Sequence, residues 1–134
     1  HFGDAGLVST MNDYGRFCEM LASGGSFRGK QLISAESIAT MTKKWSGGYT
    51  EEPNAFEPLE GHYNGFSLFV LEDPSKKETT VPKGIYGWAG YHNTHFWIDP
   101  KHEMFGLFMS RARPFNWEIP IGLRKTVYEN LPSP

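Results

Sequence analysis

"GIYGWAGYHNTHFWIDPK", Gly84 to Lys101, is the stretch on which the reading of the fold turns. Aromatic and branched residues lie on either side of a polar turn, His92-Asn93-Thr94, which predicts strands near 85–90 and 94–99. Three glycines, Gly84, Gly87 and Gly90, interrupt the first strand. Glycine weakens a strand, so it marks a bulge or a point that another chain or a ligand approaches closely. Two explanations of Gly90 stand side by side. It is a packing glycine beneath a helix, or it is a bare rim whose backbone N–H groups face a ligand oxygen.

Outward from this hairpin, "DPKHE" predicts a turn and "MFGLFMSR" a further strand. On the other side, "HYNGFSLFVLED" alternates Phe66, Leu68 and Val70 with Ser67, Phe69 and Leu71. It is apolar on nearly both faces, so it predicts one strand covered on both sides. The connection "DPSKKETTVPKG" is polar and closes at Pro82, and residues 49 to 61, with four acids and two prolines, predict an exposed loop.

Helices flank these strands. In "STMNDYGRFCEMLASGG", Thr10 and Asp13 have the spacing of a capping box. Tyr14, Phe17, Cys18 and Leu21 repeat at i, i+3, i+4, i+7 before Gly24-Gly25. In "LISAESIATMTKKW", Ser34 is the expected N-cap, Ile33 and Ile38 form a hydrophobic staple, and Gly47-Gly48 end the element. "NWEIPIGLRKTVYENLP" predicts a last helix with Pro120 in its first turn and Leu123, Val127 and Leu131 stacked. The expected class is therefore α+β, an antiparallel sheet of three to four strands flanked by helices.

A chain of 134 residues with an apolar share of 39% suits one domain with a packed core. A formal charge of −2 and dispersed basic residues argue against a nucleic-acid binder, and no apolar run is long enough to span a membrane. The start at His1-Phe2-Gly3-Asp4 reads as a fragment or a processed product. Cys18, the lone cysteine, falls on an apolar stripe and is expected to be a buried small hydrophobe.

Few residues form a chemical constellation. His92 and His95, with Asp99 beyond, straddle a turn into a strand, where positions 92 and 95 point to opposite faces. No metal site is expected there. His62 and His102 are expected to be solvated. Ser-x-x-Lys is absent, Thr40-Met41-Thr42-Lys43 has only its spacing, and Tyr-x-Asn occurs at Tyr91-His92-Asn93 and Tyr128-Glu129-Asn130. Neither occurrence is strong alone.

Four segments in order resemble one family. They are "GDAGLVSTMNDYGRFCEMLASGG", "LISAESIATMT", "YNGFSLFVL" and "YGWAGYHNTHFWIDPKHEMFGLFMSR". Together, over Gly3 to Leu131, they resemble the C-terminal part of the serine hydrolases that include class C β-lactamases, penicillin-binding proteins and related esterases. The resemblance implies a single incomplete domain over 1–134, the C-terminal portion of a β-lactamase-like fold. Trp88-Ala89-Gly90 stands where that family carries its third motif, and it looks more like the Trp-x-Gly form of the esterases than Lys-Thr-Gly. By that mapping the backbone N–H of Tyr91 is an oxyanion donor and Gly90 is bare for the acyl group. Trp88, Ala89, His92 and Asn93 line the substrate.

The same resemblance puts the nucleophile of Ser-x-x-Lys and the relay tyrosine of Tyr-x-Asn ahead of this chain. An N-terminal part of the same protein, or self-association, is the expected partner, and no cofactor is implied. The expected substrate is an ester or amide without a carboxylate, because Trp88 and Ala89 supply neither cation nor hydroxyl. Two alternatives remain. One is a non-catalytic binding or scaffold protein of the same fold. The other is an unrelated α+β interaction domain, favoured if Trp88 and Gly90 lie buried beneath a helix.

Overall fold

Thr10 starts the first helix as its spacing predicts. In the computed structural model, which describes residues 7–48 and 59–132, the Asp13 N–H donates to Thr10 Oγ1 at 3.1 Å. The Thr10 hydroxyl in turn donates to the Asp13 carboxylate at 3.0 Å, so side chains satisfy part of the open first turn. Helix α1 runs Met11–Ala22 and buries Cys18, Met20 and Leu21. Helix α2, Ala35–Met41, is capped by Ser34, whose side chain accepts from Ser37 N–H. Ile33 and Ile38 pack together with Met41 on the same core cluster as α1.

α2 ends at Met41 rather than at Gly47-Gly48. Those glycines belong to a strand, because the chain turns at Thr42 and begins to pair. The strands are β1 Ser26–Phe27, β2 Lys30–Gln31, β3 Ser46–Gly48, β4 His62–Asn64, β5 Phe69–Leu71, β6 Tyr86–Gly90, β7 Thr94–Asp99 and β8 Met104–Phe108. Helix α3, Glu118–Glu129, follows.

Among the described residues β3 to β8 form one antiparallel sheet of six strands in chain order, with β1-β2 a separate hairpin. The expected three to four strands undercount it because 46–48, expected at the end of a helix, pairs as β3, and because one expected strand is two. "HYNGFSLFVLED" is a hairpin rather than one strand: Gly65 presses against the end of α2, where a Cβ would lie 2.2 Å from Met41 O. The chain there turns through Ser67 at φ 53. The β1-β2 hairpin is read by Arg28 and Gly29, both at positive φ, the backbone that a two-residue hairpin turn demands.

Both faces of the sheet are covered. Val70, Tyr86, Phe96 and Ile98 meet Cys18, Met20 and Leu21 of α1 on one side. Leu71, Ile85 and Trp97 meet Leu123 and Val127 of α3 on the other. Val70 and its neighbours Phe69 and Leu71 thus point to opposite layers, as a pleated strand requires, and all three are buried. Cys18 is fully buried as expected, and burial pushes its thiol up to about 12.

His62 corrects a second expectation. It lies on β4, only 1% exposed, because residues 59–62 fold under the sheet instead of outside it. Leu59 is fully buried too, so the described end of the expected exposed loop is core; 49–58 lie outside the described residues. His62 Nε2 lies 3.6 Å from Glu78, and Glu78 holds Arg124 of α3 through two hydrogen bonds of 2.6 Å. A buried, paired guanidinium therefore ties the 72–84 connection to the last helix. Among the described residues no helix is long and apolar enough to cross a membrane.

Candidate functional site

β6 ends at Gly90 and β7 begins at Thr94, as the sequence predicts, leaving Tyr91, His92 and Asn93 as the turn. The two strands pair from Tyr86↔Ile98 to Gly90↔Thr94. Across the turn, the Asn93 N–H donates to Gly90 O at 3.1 Å. That bond aims the Gly90 carbonyl into the turn. A trans peptide is planar with its N–H opposite its C=O, so the Tyr91 N–H points the other way, toward the β5 side.

The same direction follows from the ladder. Leu71 N–H donates to Ile85 O at 2.9 Å, so Ile85 and its alternate residues Gly87 and Ala89 turn their backbone groups toward β5. β5 begins at Phe69, opposite Gly87. Among the described residues no strand flanks β6 on that side at Ala89 or beyond. The end of β6 thus runs past the start of β5, and among the described residues no strand pairs with its backbone groups on that side.

Trp88 is 39% exposed and Tyr91 66% exposed. Ala89 and Gly90 are half-buried, Ala89 against Leu59, Phe69 and Trp117. The indole of Trp88 stacks on Phe69 with centroids 6.3 Å apart. Burial beneath a helix, the arrangement that would favour an unrelated fold, is not what surrounds Trp88 and Gly90. What comes close to Gly90 in the folded chain is Thr94: a Cβ there would lie 2.1 Å from the Thr94 hydroxyl oxygen.

Beyond β8 the chain crosses back over this turn as a strap, residues 110–116. Ser110 Oγ donates to His92 O at 2.8 Å and Asn93 O at 3.1 Å. Asn93, fully buried, donates from Nδ2 to Ala112 O at 3.1 Å and Pro114 O at 2.9 Å, and its Oδ1 accepts from Asn116 N–H at 2.7 Å. Arg113 lies 3.5 Å above the ring of Tyr91 and donates to its hydroxyl. His92 is exposed in the turn, its ring 5.3 Å from that of Tyr91.

Thr94, Ser110, Arg113 and Asn116 were not legible as site residues. "MFGLFMSR" reads as strand to its end, whereas β8 stops at Phe108 and frees Ser110 for the strap. Asn93 carried a signal in hindsight: it sits at φ 59, a conformation that asparagine tolerates better than most residues.

The remaining titratable candidates have other employment. His95 points into an aromatic box with Phe108, Phe115 and Trp117, ring centroids 5.5–6.5 Å away. Among the described residues neither ring nitrogen has a hydrogen-bond partner, and burial, with the charge of Arg124 adding to it, lowers its pKa to about 4. Asp99 is buried; its Oδ1 accepts from the N–H of Lys101 and His102, and its Oδ2 accepts from Tyr128 OH at 2.7 Å and faces His102 Nδ1 at 2.6 Å. Tyr128 of the second Tyr-x-Asn is thereby a clasp between α3 and the β7-β8 turn, and burial and Asp99 raise its hydroxyl's pKa. His92, His95 and Asp99 do not converge, and the described residues hold no group of three such side chains able to share a metal.

An antiparallel sheet between helical layers, with an open strand end at Trp88-Ala89-Gly90, defines a class that comparison with known proteins names. The family model for Beta-lactamase matches residues 1–124, and the chain belongs to that family. It is 30% identical over 117 residues to the uncharacterized protein MT1414 and to protein Rv1367c, from two strains of Mycobacterium tuberculosis. The alignment covers 81% of this chain and 28% of each of them. The chain thus spans a little over a quarter of the length of the curated relatives it matches.

Proposed function

We propose that this chain is the C-terminal part of a β-lactamase-like serine hydrolase domain that works by acyl transfer on an ester or amide. The observation that carries the reading is the direction of the Tyr91 N–H, toward the β5 side of the strand end, where no described strand pairs with it. A fixed N–H at a strand end is suited to an oxygen that gains negative charge in the transition state, because it needs no reorganisation when that charge appears.

In this reading a serine in the preceding part of the protein attacks the substrate carbonyl carbon. Its proton passes to a neighbouring base as the new C–O bond forms, and the carbonyl oxygen becomes an oxyanion. That oxyanion accepts from the serine's own N–H and from Tyr91 N–H. Collapse expels the alcohol or amine, which takes the proton, and water then releases the acid by the reverse sequence. The acyl group lies against Gly90, beside the Thr94 hydroxyl that is nearest to it, and Trp88, Ala89 and His92 line its path. This chain contains no Ser-x-x-Lys, so by itself it forms no acyl-enzyme, and the remainder of the protein, or another copy, completes the cleft.

The substrate is an uncharged ester or hydrophobic amide rather than a β-lactam. Trp88 and Ala89 carry no charge, and the Arg113 guanidinium near this rim is engaged by the ring and hydroxyl of Tyr91. A non-catalytic binding protein of the same fold is the competing reading. Treating the full-length protein with a fluorophosphonate and mapping the adduct by mass separates them. A labelled serine outside these 134 residues, with nitrophenyl-ester turnover exceeding cephalosporin turnover, is the expected result. No adduct sinks the hydrolase reading, and efficient cephalosporin turnover sinks the substrate assignment.

A further inference from the structure

We propose that Asn93 is a positioning residue: it clamps the β6-β7 turn to the 110–116 strap and so fixes the direction of the Tyr91 N–H. The inference rests on the oxyanion reading above and adds to it the group that holds the donor in place. Asn93 does not touch a substrate, since its side chain is fully buried and all its polar contacts are internal.

The mechanical chain is short. The peptide between Gly90 and Tyr91 is oriented by the hydrogen bond from Asn93 N–H to Gly90 O. Asn93 is in turn held at φ 59 by three side-chain hydrogen bonds, to Ala112 O, Pro114 O and Asn116 N–H. Ser110 adds two more, to the carbonyls of His92 and Asn93. Five bonds from one strap therefore converge on the two residues after Tyr91. Few side chains meet both demands of this position. Glycine accepts the left-handed backbone but makes no clamp, and aspartate would set a carboxylate against two carbonyl oxygens. Asparagine combines two donors, one acceptor and tolerance of positive φ.

The test uses the full-length protein and a nitrophenyl ester, with three variants. Tyr91→Pro removes the donor itself while proline fits a position of this kind in a turn. Asn93→Gly keeps the backbone conformation and removes the clamp. The double variant measures their coupling. The expected result is that Tyr91→Pro lowers kcat about a hundredfold. Asn93→Gly lowers kcat roughly tenfold or more with KM nearly unchanged, as a displaced donor should. The double variant is then no worse than Tyr91→Pro alone, because a clamp has no effect on a donor that is gone. A merely structural role for Asn93 would instead add its loss to that of Tyr91→Pro, and that outcome overturns the inference.

The two readings fail differently. If Tyr91→Pro leaves kcat intact, the oxyanion assignment falls and the clamp falls with it. If Tyr91→Pro is slow but Asn93→Gly is not, only the clamp falls. Should Asn93→Gly not fold, Ser110→Ala removes two of the five bonds from the opposite side, and it must lower kcat without the KM change that lost substrate contacts would bring.

Discussion

Gly87 and Gly90 sit three residues apart on β6, and an added methyl would meet a different obstacle at each. At Gly87 the obstacle is backbone: a Cβ would lie 2.0 Å from Phe96 O and 2.9 Å from Trp97 Cα. At Gly90 it is one hydroxyl, with the next atoms, also of Thr94, at 3.5 Å or more. Strands cannot be pushed apart locally without breaking their ladder, whereas a side-chain hydroxyl can be removed. Gly87→Ala is therefore expected to destabilise the protein by about 3 kcal/mol, at the upper end for overpacked cores. Gly90→Ala combined with Thr94→Ala should cost about 1 kcal/mol or less. Paired urea titrations decide this; equal losses at the two glycines would mean that β6 is not held as tightly to β7 as its register implies. One sequence pattern thus carries two meanings. The glycines at 87 and 90 look alike as strand interruptions, but a side chain would meet the neighbouring backbone at the first and only a side-chain hydroxyl at the second.

At the scale of the element, β7 is buried on both faces and carries a histidine to which the described residues give no hydrogen-bond partner. His95 is 3% exposed and sits with its nitrogens unsatisfied among Phe108, Phe115 and Trp117. The charged and titratable groups behind this face of the sheet are Arg124, Glu78 and His62. Burial, its first cause, and Arg124 hold the His95 pKa at about 4 against an ordinary 6.5, and burial lowers that of His62 as well. The unfolded chain therefore binds protons below pH 6.5 that the folded chain refuses. The contribution of His95 is complete above that pH and falls as pH drops toward 4, by up to about 1.4 kcal/mol per pH unit, and His62 acts in the same direction. His95→Phe should flatten part of this acid limb in thermal melts between pH 4 and 7. An unchanged slope would place the acid sensitivity elsewhere. The strand at 94–99 was legible in sequence, but the aromatic surroundings of its histidine were not, because the box is assembled from β8, the strap and the start of α3.

At the scale of the whole molecule, Leu7, Val8, Trp45 and Phe66 are each about half exposed or more, and among the described residues the outer edges of β3 and β8 have no neighbouring strand. Open edges and scattered apolar surface favour association. The 134-residue polypeptide produced by itself is expected to self-associate with rising concentration in sedimentation velocity, and a monodisperse, stable monomer would refute this. What the sequence by itself determined is local. The caps at Thr10 and Ser34, the three helices, the β6-β7 hairpin and the alternation that makes the sheet two-sided all rest on neighbours within a few positions. The family resemblance was legible for a related reason, since it rests on the order and spacing of such segments. What only the tertiary structure decided is long-range. The six-strand count depends on Gly65 lying against Met41, the burial of His62 on Glu78 and Arg124, and the clamp at Asn93 on residues about twenty positions later. Those contacts join groups distant in the chain, and no short window of sequence contains both partners of any of them.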